Sequence, residues 1–348
     1  MKFRANIIFI LIALLFALPP HILAWKAIPL LSYSSSSGFL LGGIVNNNMI
    51  SPFKPFGFSA MAYCYTNGSI SAEPKILFPA GGGLVTFGAN YYVKKKDKFF
   101  GWGNGGDNEL YEYFDTEIQD ISGSYHFSPI SGIVMTGGLL FRHSTVYNRS
   151  DDLFWRQSPT DGYDSQWTAG PFARVNWSLP VLLNGYISAG YDMQTGREIG
   201  YSSAQCALAV FTPIGSSTTP AFRMKVEKHS GTASTPFSFL PSLGGGSGLR
   251  GYNDGRFGGN WSFLGNLELR QEIVSLQIDE NNTMDFSLVL FGDAGQVTDH
   301  LDDFGWNRFH LDGGVGARIS LPGGGTLRAD FALSPEGLGI QMGLGELF

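Results

Sequence analysis

The chain has 348 residues and a formal net charge of -6, with 47 glycines, 28 phenylalanines, 14 tyrosines, 7 tryptophans and only 15% charged residues. An acidic balance argues against a nucleic-acid partner, and so few charges among so many aromatics are unlike an ordinary soluble domain. Six histidines without ligand spacing and two cysteines give no reason to expect a metal centre or any other cofactor.

Lys2 and Arg4 precede an apolar run from Ile7 to Leu18, followed by Pro19, Pro20 and Ile22-Leu23-Ala24. This pattern predicts a signal peptide over residues 1–24, too short to span a bilayer comfortably, with residues 25–348 forming one exported domain. Loss of the two basic residues would take the net charge from -6 to -8, since no acidic residue lies before Trp25.

Beyond Ala24 no stretch suits a membrane helix, but alternating apolar and polar residues recur along the whole length. Strands are expected near residues 27–34, 38–47, 57–66, 69–79, 84–95, 110–126, 132–147, 166–179, 183–193, 203–212, 220–229, 261–274, 284–297, 308–321, 325–334 and 337–348. About sixteen strands is an even number, and roughly twenty residues per strand and connection fits an outer-membrane barrel. Connections divide into short ones, such as Pro79 to Gly82 and Ser128 to Ser131, and long ones, such as Arg149 to Ser165 and Gly231 to Asn260. A barrel with two unlike rims requires that division, whereas a soluble two-sheet sandwich, which shares some of the composition, does not.

Cys64 and Cys206 fall on the third and tenth strands, too far apart around a barrel for a disulfide. The basic run Lys94-Lys95-Lys96-Asp97-Lys98, followed by Phe99, Phe100 and Trp102, reads as a loop above an aromatic girdle, either solvated or in contact with lipopolysaccharide phosphates. His126, His143 and His310 are the strand-borne histidines that a barrel lipid hydrolase would draw on, and each also suits a lumen or interfacial position. No Gly-x-Ser-x-Gly elbow accompanies them.

The segment Leu243 to Gly255 is too rich in glycine for a regular element and presents Arg250 and Tyr252 on a long loop before the twelfth strand. Gly246-x-Gly248-x-x-Gly251 also fits a dinucleotide fingerprint, but the following Asn253 to Gly259 cannot open a helix. In the next strands, Trp261, Phe263, Leu267 and Leu269 leave Asn266 and Glu268 on the opposite face, and Met284, Phe286, Leu288 and Leu290 leave Asp285, Ser287 and Asp293. If that face encloses a lumen, Glu268 and Asp293 need a cation, and the planar fork of Arg250 suits both. Arg223, Lys225, Glu227, Arg318, Arg328 and Asp330 also fall on inward faces, as a mutually paired network or, alternatively, a transport path.

Leu249-Arg250-Gly251-Tyr252 resembles the Val-Arg-Gly-Phe/Tyr signature of the BamA/TamA superfamily, the bacterial surface antigen family, which includes two-partner secretion transporters. Phe291-Gly292-Asp293-Ala294-Gly295 is similar to that family's Phe-x-Asp-x-Gly motif. The resemblance spans mainly Leu243 to Phe348 and implies a transmembrane antiparallel β-barrel in the outer membrane of a Gram-negative bacterium, with the loop folded into the lumen. It implies that Arg250, Gly251 and Tyr252 lock onto Asp293 and Gly295, with Glu268 as a second acidic partner. A last strand ending in Phe348 resembles a sorting signal for barrel assembly, from which Glu346 departs. The implied role is non-enzymatic: insertion or translocation of proteins, with membrane lipids, lipopolysaccharide and a separate periplasmic or client polypeptide as partners. Family members of that kind carry periplasmic POTRA modules, and almost nothing is expected between Ala24 and the first strand. A passive channel and a lipid hydrolase stand as the other readings.

Overall fold

The computed structural model describes residues 26–34, 37–46, 56–148, 165–179, 184–197, 199–231, 237–279, 282–320 and 325–348. The expected signal segment, residues 1–24, lies outside the described residues. The strands are β1 (Lys26–Ser34), β2 (Gly38–Asn46), β3 (Gly57–Tyr65), β4 (Ile70–Ala80), β5 (Gly83–Phe99), β6 (Glu112–Phe127), β7 (Ile133–Tyr147), β8 (Gln166–Leu179) and β9 (Gly185–Gly196). They continue with β10 (Gly200–Phe211), β11 (Thr218–Gly231), β12 (Ser242–Leu243), β13 (Phe257–Gly258), β14 (Trp261–Asp279), β15 (Asn282–Thr298), β16 (His310–Ser320), β17 (Thr326–Ser334) and β18 (Gly337–Leu344).

All but β12 and β13 form one closed antiparallel barrel of sixteen strands, each hydrogen-bonded to its sequence neighbour, with β1 closing onto β18. Closure follows from the solvent: an open sheet edge in hydrocarbon leaves backbone groups unpaired. Alternation then assigns the faces. Leu288, Leu290, Leu311 and Val315 are 57–60% exposed on the outside, while Asp293, Asp312, Arg318 and Asp330 are buried on the inside. An exposed apolar belt of this kind is stable against lipid and not against water.

The connections at the rim that carries both chain ends include the tight turns at Gly81–Gly82 and 128–132. The opposite rim carries the longer segments 100–111, 237–256 and 299–309, so the two rims differ as expected. The segment between β11 and β14 folds back inside. There β12 pairs antiparallel with β13, and Leu243, Leu249, Tyr252 and Phe257 pack with Leu264 and Val297 of the wall into a small buried core. Each such side chain contributes roughly 1.5–3 kcal/mol on burial, which holds the loop inside.

Three sequence expectations are corrected. The basic run is not a loop: β5 continues through it to Phe99, with a bulge between Lys94 and Asp97 and a positive φ of 53° at Lys96. Two of the lysines find anions of the protein itself, Lys94 pairing with Asp97 at 2.7 Å and Lys95 with Asp115 at 2.8 Å. Second, β18 ends at Leu344, and Gly345 turns the chain at a φ of +91°, so Phe348 is not the last residue of a lipid-facing strand. Third, β10, β11 and β14 are longer than the sequence pattern suggests, because lumen-facing glycines, serines and charges mask the alternation at their ends. Cys64 and Cys206 sit on the third and tenth strands and are free thiols.

Candidate functional site: an arginine lock inside the barrel

The geometry around Arg250 begins with glycine. Gly244 and Gly245 adopt φ of 122° and 76°, conformations that L side chains rarely take, and they turn the chain toward the lumen wall. A Cβ on Gly251 would lie 2.9 Å from the Asp312 Cβ and 3.0 Å from the Ser334 Cβ, so only glycine lets the backbone pass between β16 and β17. On the wall, a Cβ on Gly295 would lie 2.8 Å from Leu243 Cδ1, so the last glycine of the strand motif makes room for the loop.

Arg250 arrives with no exposed side-chain surface, as do Glu268, Asp293 and Asp330 around it. Its Nε and Nη2 donate at 2.8 Å to the two oxygens of Asp293, a bidentate fork, and Nη1 donates to Glu268 Oε1 at 2.7 Å. Asp330 lies 3.4 Å from the same Nη1, and the guanidinium carbon sits 3.5 Å from the centroid of the Phe291 ring. Asn266 completes Asp293 by donating to Oδ1 at 2.7 Å. Burial by itself would lower the Arg250 pKa; hydrogen bonding to Asp293 and the charges of Glu268 and Asp330 outweigh it, so the group stays cationic.

The flanking residues fix the approach. The Gly251 N–H donates to Asp312 Oδ2 at 3.0 Å, and its carbonyl accepts from the Ser334 hydroxyl at 2.8 Å. The Tyr252 hydroxyl donates to the Leu311 carbonyl at 3.2 Å while its ring packs edge-on to Phe257. Burial pushes that hydroxyl up to about 12, so it stays a donor. Every residue expected in the lock is therefore brought together: Arg250, Gly251 and Tyr252 from the loop, Glu268 from β14, Asp293 and Gly295 from β15.

The expected pairing among inward charges joins this assembly, and the sequence reading misses Arg270 and Arg256 in it. Arg318 reaches Asp330 at 2.7 Å and Glu268 at 3.4 Å, and Arg270 reaches Glu268 at 2.8 Å, so the acids serve several arginines at once. Arg256 is a second tether: it is buried, its Nε meets Glu336 at 2.8 Å in the turn before β18, and its Nη2 donates to the Gly106 carbonyl at 2.6 Å. Its signal was a second arginine on the same glycine-rich loop. Phe348 lies against the lumen instead of lipid, its ring 5.3 Å from the guanidinium carbons of both Arg223 and Arg270 and 5.8 Å from the Phe211 ring. Arg223 also donates to the Leu347 carbonyl at 3.0 Å, and Glu346 meets Arg318 at 3.0 Å. The acidic residue that departs from a sorting pattern thus draws the chain end inward.

The three histidines are not brought together. His126 faces the lumen between Ser124, at 3.1 Å, and Thr136, at 2.9 Å; His143 is on the outer face stacked on Trp167; His310 stacks on the Phe257 ring, centroids 3.8 Å apart, and meets the Asn104 carbonyl. The Ser124 hydroxyl sits on a strand whose N–H groups are engaged in the ladder, which leaves no backbone donors for an oxyanion. Among the described residues no group of His, Cys, Asp and Glu is arranged to hold a metal ion.

An arginine delivered by a lumen loop to an aspartate of a Phe-x-Asp-x-Gly strand is the arrangement the motifs imply, and residues 138–348 match the Omp85 superfamily domain. The chain belongs to the Omp85 superfamily. Solved structures agree with this Omp85 fold. BamA from Haemophilus ducreyi lacking POTRA domains 1-3 superposes with a TM-score of 0.66 at 15% identity, covering 92% of this chain and 70% of that one. CdiB from Escherichia coli gives 0.62 at 15% identity over 94% of this chain and 63% of that one, and CdiB from Acinetobacter baumannii gives 0.56 at 13% over 92% and 59%. The chain thus spans less than two thirds of either CdiB. A sequence comparison with curated proteins gives no match. As an Omp85 barrel, the protein resides in the outer membrane of a Gram-negative bacterium.

Proposed function

We propose that this Omp85 barrel aids the insertion or translocation of polypeptides at the outer membrane, the late strands held rigid by the Arg250 lock while the β1–β18 seam parts. The seam carries the proposal. Among the described residues its ladder pairs Tyr33 with Met342 and Ser34 with Gln341, whereas β1 pairs with β2 without a break from Lys26 opposite Asn46 to Ser34 opposite Gly38. Ladder hydrogen bonds are what resist separation of strands, so the wall is weakest at this one joint. The lock braces β14, β15 and β17 on one side of it, and Gly251 meets Asp312 of β16. No catalytic step is invoked, in keeping with a family of non-enzymatic barrels.

The test is a reversible staple. In proteoliposomes, a Ser34→Cys/Gln341→Cys variant is expected to block insertion of an unfolded barrel client, read by protease protection, and to recover on reduction. Insertion at the unstapled rate under oxidising conditions refutes the seam as the route.

A second reading, a passive channel, draws on a different observation. Two lumen cavities of about 660 and 400 Å³ share Arg174 and Asp192 along the β4–β11 side, away from the lock. A steady conductance in single-channel recordings that is unchanged by the staple favours that reading.

A further inference from the structure

We propose that the lumen behind the seam is a phospholipid site, with a lipid phosphate on Arg328 and an acyl chain entering from the membrane between β1 and β18. The site is independent of any work on polypeptides.

The first observation is an under-satisfied cation. Arg328 has 12% side-chain exposure, and its Nη2 donates to the Gly246 carbonyl at 3.2 Å. Its Nε and Nη1 have no hydrogen-bond partner. The nearest acid, Asp330, is 3.6 Å from Nε, yet its oxygens are already taken by Arg318 at 2.7 Å and approached by Arg250 at 3.4 Å. Three arginines converge on one aspartate, and Arg328 is the most distant of them. The N–H groups on Nε and Nη1 are left without an acceptor, and a phosphate offers oxygens that accept from such charged donors.

The second observation is the space in front of it. A cavity of about 600 Å³ is lined by Arg328, by Asp254 and by Lys94, itself paired with Asp97, and by an apolar wall of Leu30, Leu40, Ile44 and Met61. Apolar residues on the lumen side of β1 to β3 break the polar-inside rule of such barrels, and an acyl chain is the ligand that this wall favours. Leu31 and Met342, which are 63% and 45% exposed on the outer face, line the same cavity, so it reaches through the wall at the seam.

The third observation is position. Arg328 is in register with Gly343, the next residue along β18 after the last seam pair, and Ser32 lies opposite on β1. Below this point the chain turns inward at Gly345, held by Glu346 to Arg318 and by Leu347 to Arg223, so among the described residues no strand covers the edge of β1 there. The gap faces the rim with the chain ends and short turns, which is the periplasmic side of barrels of this type. A phospholipid of that leaflet is therefore the occupant at hand. An extended peptide would pair with the free edge of β1 at the seam, but β2 and β3, which supply Leu40, Ile44 and Met61, are paired on both sides and offer it no ladder along the apolar wall.

The experiment uses the folded chain in vesicles of phosphatidylethanolamine and phosphatidylglycerol, with a trace of phosphatidylglycerol carrying a diazirine on one acyl chain. Photolabel is expected on the inward residues Leu30, Ile44 and Met61 as well as on outward ones. In Arg328→Gln the inward label is expected to fall about tenfold, the size of one lost charge-assisted hydrogen bond, with Arg328→Lys recovering part of it. Ile44→Trp, which fills the cavity and leaves every charge in place, is expected to abolish the inward label even if Arg328→Gln lowers the folded yield. Label confined to outward residues such as Phe39 and Leu41, or inward label unchanged in both variants, overturns the proposal. So does displacement by millimolar inorganic phosphate, which marks a plain anion site, or by a peptide ending in phenylalanine, which marks a client strand.

Discussion

Removing the Arg250 side chain by Arg250→Ala leaves its three acids in unequal positions. Glu268 retains Arg270 and Arg318, and Asp330 retains Arg318 and Arg328, but Asp293 loses its cation and keeps the amide of Asn266 and, at 3.4 Å, the backbone N–H of residue 250. Both partners of the Arg250–Asp293 fork are fully buried, so the cost is that of orphaning a buried carboxylate, about 3–5 kcal/mol. Asp293→Ala orphans less, because Arg250 keeps Glu268 at 2.7 Å and Asp330 at 3.4 Å, and it is expected to cost about 2–4 kcal/mol. The double variant removes the orphan and is expected to cost little more than Arg250→Ala alone, a coupling of up to about 3 kcal/mol. Unfolding in guanidinium, followed by the heat-modifiable migration of the barrel on gels and by tryptophan fluorescence, measures all three. Costs that simply add would refute the lock as a unit, and an Arg250→Ala barrel as stable as the parent would remove it from the argument altogether.

Two further outcomes test neighbouring claims. A Cβ at Gly339 would collide with the Arg250 carbonyl and lie 3.1 Å from the Gly251 Cα, whereas one at Gly258 meets nothing within 4 Å; Gly339→Val is therefore expected to expel the loop and expose residues 237–256 to added protease, and Gly258→Ala to change nothing. Protection of the loop in Gly339→Val contradicts the described passage. Glu346→Leu restores the apolar residue that a sorting signal prefers but removes the contact with Arg318 at 3.0 Å, so lower heat stability without a gain in membrane yield is expected, and a higher yield of equally stable barrel supports the sorting reading instead.

Much of the molecule was legible before any coordinates. Period-two alternation located sixteen wall strands close to their observed bounds, because lipid outside and a polar lumen inside demand opposite chemistry on successive residues. Candidate lock residues were legible too: an arginine in a glycine tether and two carboxylates on one sheet face are costly unless they meet. The basic run from Lys94 to Lys98 misled, since nothing local in it distinguishes a solvated loop from a bulged strand whose lysines meet Asp97 and Asp115. The chain end misled for the same reason, its aromatic residue fitting a lipid-facing strand equally well.

By itself, the sequence determined the wall, its unlike rims and the pairing of Arg250 with acids of the following strands, because these rest on patterns a few residues long and on the expense of unpaired buried charge. Only the tertiary structure decided how the acids are shared among Arg250, Arg270, Arg318 and Arg328, that Arg256 pins the loop to Glu336, and that the chain end leaves the wall. Those outcomes depend on which side chains from distant strands converge across the lumen, a matter of distances set by closure of the barrel that no stretch of sequence contains.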